Sequence, residues 1–288
     1  KIGIIGTSDG NGHPYSYSAI FNGFDEYYLK KYCKFKLIKE YLPRYCSKKN
    51  LIKGAKVTSI WTQNYENSKK ISKASLIPNV EKNFKDFIGK VDGVIIARDD
   101  VEKHLYFASF FLERNIPIFI DKQIVYSKSQ LLIFLKKIRK KRLFMACSGI
   151  RYNKKLIYIK KTKKLNNVKT IHGTSHSNLM TYGHHLLEAV TVLFGTKVKW
   201  VKSLSQSKNH DIIQITYYSG LNVILEFIKN LSLPIKLDFF SANEKTFTIY
   251  FDDFYFSFKR MLEDFILMIE NKNYPIPTNE IINISKII

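Results

Sequence analysis

A doubly wound α/β sheet, followed by an α+β region built on a large and mostly antiparallel sheet, is the fold class that this sequence predicts. Three observations predict it. Short, largely apolar runs lie at 1–6, 56–62, 92–97 and 117–121. Helix-length segments separate them, and that alternation belongs to parallel sheets covered on both faces. Beyond residue 122 strand-like runs follow one another with turns between them, as in antiparallel sheets.

The opening KIGIIG reads as a buried first strand, and the turn-rich stretch 7–13 leads to a helix over 16–24. Residues 28–52 are basic and aromatic with weak periodicity, and they read as an irregular insertion. A second strand over 56–62, a helix over 66–75, a third strand over 92–97, a helix opened by Asp100 and a fourth strand over 117–121 complete the first half. In the second half helices are expected over 127–141, 152–164, 182–193 and 258–269. Strands are expected over 143–148, 168–174, 198–204, 212–218, 222–227, 235–240, 246–250 and 253–258. A chain of 288 residues has room for about two domains. The boundary is expected at Lys122, giving domains 1–122 and 123–288.

Charge excludes less than it first suggests. The formal net charge is +23, but only seven of the 47 basic residues are Arg. Arg is the side chain suited to bidentate base and phosphate contacts. The lysines are spread along the chain among Ile, Asn, Phe and Tyr, so no nucleic-acid partner is expected. The densest run, 136–142, reads as a solvated helix end. Three cysteines, Cys33, Cys46 and Cys147, show no metal spacing and read as free thiols of a reducing compartment, the cytoplasm. His172 and His176 lack acidic or Cys partners at ligand spacing, so no metal is expected. No apolar run reaches about 18 residues, so no membrane span is expected. The chain opens directly on a strand, so no signal peptide is expected.

The turn after the first strand reads Gly6-Thr7-Ser8-Asp9-Gly10-Asn11-Gly12-His13. A dinucleotide fingerprint needs glycines here, so that backbone approaches a diphosphate at a helix N-terminus. Gly6 fits the first position, whereas Ser8 and Asn11 stand at the second and third. Gly10 and Gly12 restore freedom at another spacing. The second strand should end in an acid that holds the adenosine ribose. It ends instead in Trp61-Thr62-Gln63-Asn64. Thr62 and Gln63 can bond a ribose hydroxyl, and Lys69 or Lys70 can face a 2′-phosphate, so NAD and NADP both stay open.

Four segments in order resemble the Gfo/Idh/MocA oxidoreductases, the glucose–fructose oxidoreductase and inositol dehydrogenase group. They are the opening strand and turn through His13-Pro14-Tyr15-Ser16; Val91–Ala97 with Arg98, Asp99, Asp100 and His104; Ile116–Gln123, similar to a strand ending in Glu-Lys-Pro; and Tyr182-Gly183-His184-His185-Leu186-Leu187-Glu188, similar to Gly-x-His-x-x-(Asp/Glu). Asp121 and Gln123 replace the Glu and Pro, and Thr181 replaces the Asp four residues before the histidine.

The resemblance implies a Rossmann domain and an NAD(P)-dependent oxidoreductase acting on a sugar, sugar derivative or nucleotide-linked sugar. It implies Lys122 and His185 as catalytic residues meeting beside the nicotinamide. Gly6, Thr7, Ser8, Gly10, Asn11, Gly12, His13, Thr62, Gln63, Ala97, Arg98, Asp99, His104 and Asp121 are expected at the cofactor. Arg151, Tyr152, Tyr182 and Glu188 are expected at the substrate, with Tyr182 and Glu188 on the helix face of His185. Lysine ends a strand at the sheet's carboxyl edge, where it can bond a reacting oxygen. Histidine, with a free pKa of about 6.5, suits proton transfer at neutral pH. An open sheet face in the second domain implies a homodimer or homotetramer. The departures leave a second possibility, a catalytically degenerate NAD(P)-binding regulator or scaffold of the same fold.

Overall fold

The computed structural model describes residues 1–138, 142–242 and 245–288. The chain forms two compact units: Lys1–Ala146 with Phe258–Pro277, and Cys147–Ser257 with Thr278–Ile288.

The first unit holds a six-stranded sheet in the order β3-β2-β1-β4-β5-β6. Its strands are β1 (Ile2–Ile5), β2 (Val57–Trp61), β3 (Asn79–Val80), β4 (Gly93–Ile96), β5 (Ile118–Asp121) and β6 (Phe144–Cys147). β1 pairs in parallel with β2 and with β4, so the winding reverses between β1 and β4. Ile2, Ile4, Ile5, Val94, Ile95 and Ile96 are buried, as strands covered on both faces require. A Cβ on Gly3 would meet the Phe87 ring, and one on Gly93 would meet Ile269 and Phe265. Both glycines therefore let large apolar side chains lie on the sheet.

Around this sheet lie α1 (His13–Asn22), α2 (Glu26–Tyr32), α3 (Lys36–Tyr45), α4 (Tyr65–Ala74), α5 (His104–Leu112) and α6 (Lys128–Ile138). The expected irregular insertion over 28–52 is instead mainly helical. Asp25 caps α2 by accepting from the Tyr28 N–H, and Leu29, Ile38, Tyr41 and Leu42 turn inward. Their spacing was hidden among lysines and tyrosines that face solvent. Of the basic run 136–142, Lys136 and Lys137 close α6, while residues 139–141 lie outside the described residues. β6 joins this sheet, so the first unit continues well past the boundary expected at Lys122.

The second unit carries α7 (Lys154–Lys160), α8 (Leu179–Phe194) and a second sheet in the order β12-β11-β7-β10-β9-β8. Its strands are β7 (Val168–His176), β8 (Val198–Gln206), β9 (His210–Tyr217), β10 (Asn222–Ile228), β11 (Lys236–Ser241) and β12 (Thr246–Tyr250). All pairs but β7–β10 run antiparallel. Ile213, Ile215, Val223, Leu225, Phe227, Leu237 and Phe239 share one buried core with Leu186 and Val190 of α8. Gly173 lets Leu186 lie against β7, since a Cβ there would meet it. The alternate positions His172, His210, Ile212, Ile224 and Glu226 are only partly covered.

The strand expected over 253–258 is the start of a helix, α9 (Phe254–Asn271). Its alternating aromatics mimic a strand, but Tyr255, Met261, Leu262, Phe265 and Met268 are buried at helical spacing. A short helix that the sequence reading lacks, α10 (Thr278–Ile287), buries Ile281 and Ile284. Cys33, Cys46 and Cys147 are free thiols. Among the described residues no helix is long and apolar enough to cross a membrane, and no group of three His, Cys, Asp or Glu could hold a metal ion.

Candidate active site

The carboxyl edge of the first sheet gathers the loops after β1, β2, β4 and β5 into one hydrogen-bonded cluster. Asp121, the last residue of β5, is 1% exposed and accepts from Tyr17 Oη at 3.0 Å and Asn11 Nδ2 at 3.2 Å. It also meets His13 Nδ1 at 2.5 Å. Burial raises its carboxyl, but the charge and hydrogen bond of His13, the Lys122 charge and the Asn11 bond outweigh that and hold it below the usual range. A depressed carboxyl adds stability above its unfolded value and loses it as pH falls through the folded one. Asp121→Asn is therefore expected to destabilise most at neutral pH. The gap to the wild type should close below about pH 4, read by urea unfolding across a pH series.

Lys122 follows with φ +73, in the left-handed region. Its Nζ lies 2.7 Å from Asp99 Oδ1, which also accepts from Asn11 Nδ2 at 2.8 Å. The Asp99 N–H donates to Ser8 Oγ at 2.6 Å. Arg98, 2% exposed, binds Asp100 through Nε and Nη2 and Gln63 Oε1 through Nη1, and Gln63 Nε2 donates to the Thr7 carbonyl at 2.7 Å. His104 is wholly buried, with Nδ1 2.7 Å from the Gln123 carbonyl and Nε2 3.0 Å from the Arg98 carbonyl. Its ring therefore ties the ends of β4 and β5 together. Desolvation lowers its pKa, against the pull of these carbonyls and of Asp121 and Asp100. Ala97 is buried, and its N–H donates to the Ile5 carbonyl at 2.8 Å.

The glycines of the first turn divide by function. A Cβ on Gly6 would lie 2.3 Å from Pro14 Cγ, and one on Gly12 would lie 2.4 Å from the Phe35 ring. Both serve packing. Gly6→Ala should cost about 1–3 kcal/mol in a denaturant titration, because the proline ring cannot yield. Gly10 sits at φ +84 with open space around it. Among the described residues the N–H groups of Ser8, Asp9 and Gly10 make no hydrogen bond within the chain, whereas the Asn11 N–H is taken by the Ser8 carbonyl and the His13 N–H by Asn11 Oδ1. Pro14 has none to offer. A set of free donors on an accessible turn at the winding reversal fits the diphosphate of a dinucleotide, held by the turn more than by the helix end. At the tip of β2 the Thr62 hydroxyl donates to the Asn64 carbonyl at 2.5 Å and is buried, whereas Gln63 is exposed.

In the second unit His185 stands on α8, partly exposed. Its Nδ1 lies 2.6 Å from Ser148 Oγ, and the Tyr182 ring packs beside it at 5.2 Å. Glu188 does not serve His185, as the shared face suggested. It is 1% exposed and accepts from Arg151 Nε, and His184 Nε2 lies 2.9 Å from its other oxygen without hydrogen-bond alignment. Arg151 Nη2 reaches Glu280 of α10. Desolvation raises the Glu188 carboxyl, but Arg151 and His184 outweigh it and bring it below the usual range. Arg151, its side chain 14% exposed, is thus a clamp between two carboxylates, and Tyr152 packs in the core. Ser148, Tyr17 and Glu280 escaped the sequence reading. Only Ser148, a polar residue closing a strand just before glycine, left a signal there.

No family model matches the chain, and no curated protein matches it in sequence. Solved structures do. Myo-inositol 2-dehydrogenase from Lactobacillus plantarum is 13% identical over 99% of this chain and 94% of that one, with TM-score 0.75. Scyllo-inositol dehydrogenase from Lactobacillus casei, with bound NAD(H) and scyllo-inositol, is 13% identical over 99% and 93%, with TM-score 0.71. GenD2 from gentamicin A biosynthesis, in complex with NAD, is 8% identical over 99% and 91%, with TM-score 0.74. At these identities the likeness establishes the fold, that of the Gfo/Idh/MocA oxidoreductases.

Proposed function

We propose that this chain is an NAD(P)-dependent oxidoreductase acting on a hydroxyl or ketone of a sugar, sugar derivative or nucleotide-linked sugar. The observation that carries it is Lys122, strained at the carboxyl edge beside the winding reversal and paired with Asp99. The similar structures named with inositol and NAD support it. The nicotinamide, when bound, accepts or delivers the hydride. The turn donors of Ser8, Asp9 and Gly10 would hold the diphosphate, and Gln63, held by Arg98 and the Thr7 carbonyl, would lie toward the adenosine ribose. The Asp99–Lys122 pair holds an ammonium that would hydrogen-bond the substrate oxygen and, in the reduction of a ketone, give it a proton. His185 is the catalytic residue of the second unit, with Tyr182 beside it.

The chain works as a homodimer or homotetramer through the partly covered face of the second sheet, and its three free thiols suit the cytoplasm. A monomeric mass in sedimentation would remove the first statement, and a secreted native protein the second. Calorimetry with NAD and NADP, followed by nicotinamide absorbance over a panel of sugars and keto-sugars, tests the function. Binding with turnover supports it. Binding without turnover on any sugar favours a non-catalytic regulator, and no binding sinks both.

A further inference from the structure

Gln63 stands just after β2, where a dinucleotide-binding fold places the acid that holds the adenosine ribose. A carboxylate there accepts from the ribose hydroxyls and repels a phosphate on the 2′ oxygen, so it selects NAD over NADP. Gln63 carries no charge, and its carboxamide is oriented from both sides. Arg98 Nη1 donates to Oε1 at 2.7 Å, and Nε2 donates to the Thr7 carbonyl at 2.7 Å. Among the described residues Oε1 keeps a second lone pair and Nε2 a second proton. That proton can meet a hydroxyl or a phosphate oxygen alike.

The carboxylates on the adjoining segments are already matched by cations. Asp100 accepts from both Nε and Nη2 of Arg98. Glu66, on the first turn of α4, accepts from Lys69 Nζ at 2.9 Å. That bond and the Lys69 charge, joined by the charges of Lys70 and Lys73, hold its carboxyl below the usual range. Residues 66, 69, 70 and 73 share one face of the helix, so three ammonium groups answer one carboxylate. Lys69 folds back toward the start of α4, with its Nζ also 4.8 Å over the Tyr65 ring. Lys70 has no partner among the described residues. An excess of positive charge thus lies beside the neutral residue that stands where the acid belongs.

We infer that this chain prefers NADP(H) to NAD(H), with Gln63 admitting the 2′-phosphate and Lys69 and Lys70 supplying its counter-charge. This rests on the reading of the chain as a dinucleotide-dependent oxidoreductase, and it names the dinucleotide. A phosphate monoester carries a charge of about −1.5 to −2 near neutral pH, and charge-assisted hydrogen bonds to it are about twice as strong as neutral ones. The phosphate would draw Lys69 away from Glu66, whose side chain, 66% exposed, can turn to water.

Calorimetry of the full chain with each dinucleotide tests it. NADP should bind at least about tenfold more tightly than NAD at low salt, and the margin should shrink as ionic strength rises. Gln63→Glu should reverse the order, because it restores the repelling carboxylate while Arg98 can still hold it. Lys69→Ala combined with Lys70→Ala should lower NADP affinity about tenfold and leave NAD affinity within about twofold. Both lysines are exposed, so this variant decides the matter even where Gln63→Glu disturbs the first turn. NAD bound as tightly as NADP, or an NADP margin unchanged in the double-lysine variant, overturns the inference and leaves the oxidoreductase reading standing. If neither dinucleotide binds, that reading falls with it.

Discussion

Lys122→Ala is expected to lower kcat by about a thousandfold while dinucleotide affinity stays within about twofold. The lysine directly follows β5 with 15% of its side chain exposed. Without it Asp99 keeps the bond it accepts from Asn11 and the one its N–H donates to Ser8, so the loop that it anchors should persist. Lys122→Gly adds a separation of effects. At φ +73 any side chain is strained, and glycine is not. The glycine variant should therefore be about 1 kcal/mol more stable than the alanine variant and equally inactive. Single-turnover kinetics and urea titrations read the two quantities. A fully active alanine variant would remove Lys122 from the chemistry.

That strain was not legible in the sequence, where strand-end position and resemblance singled the lysine out. Composition makes it one lysine among 40, and nothing in the run PIFIDKQ announces a left-handed backbone. The strands, by contrast, were legible because burial on both faces demands uninterrupted apolar runs, and GVII and IFID comply. The insertion helices were not, because Leu29, Ile38 and Leu42 supply too thin an apolar stripe among exposed lysines and tyrosines. The segment DDFYFSF misled for the converse reason: its large apolar side chains recur at a two-residue spacing inside a helix.

The site residues divide in the same way. Types that chemistry favours at strand ends, such as Asp121, Lys122 and Gly10, could be picked by position. Their partners could not. Asp121 was expected at the cofactor, yet three donors already surround it. Glu188 was placed beside His185 by helical spacing, but i+4 set it against His184 and the tertiary fold set it against Arg151. Pairings of that kind are fixed by contacts across more than a hundred residues, as with Glu280, and no local pattern encodes them.

Arg151→Met should destabilise the second unit by about 3–5 kcal/mol, the cost of leaving one member of a buried pair alone. Glu188 is 1% exposed and, among the described residues, would keep only His184 beside it. Glu280, at 24% exposure of its side chain, can turn to water, so Glu280→Gln should cost only about 1 kcal/mol. The pH dependence gives the sharper check. In the wild type the Glu188 carboxyl lies below its usual range, so its contribution is present above the unfolded value and fades as pH falls through the folded one. In Arg151→Met, burial without the guanidinium raises that carboxyl instead, so acidification relieves the variant. The stability gap between the two proteins should therefore be widest near neutral pH and narrow toward pH 4. Adding Glu188→Gln to Arg151→Met should recover much of the loss, because the buried charge itself is gone. A gap constant with pH, with no recovery in the double variant, would mean that Arg151 stabilises the unit by packing alone.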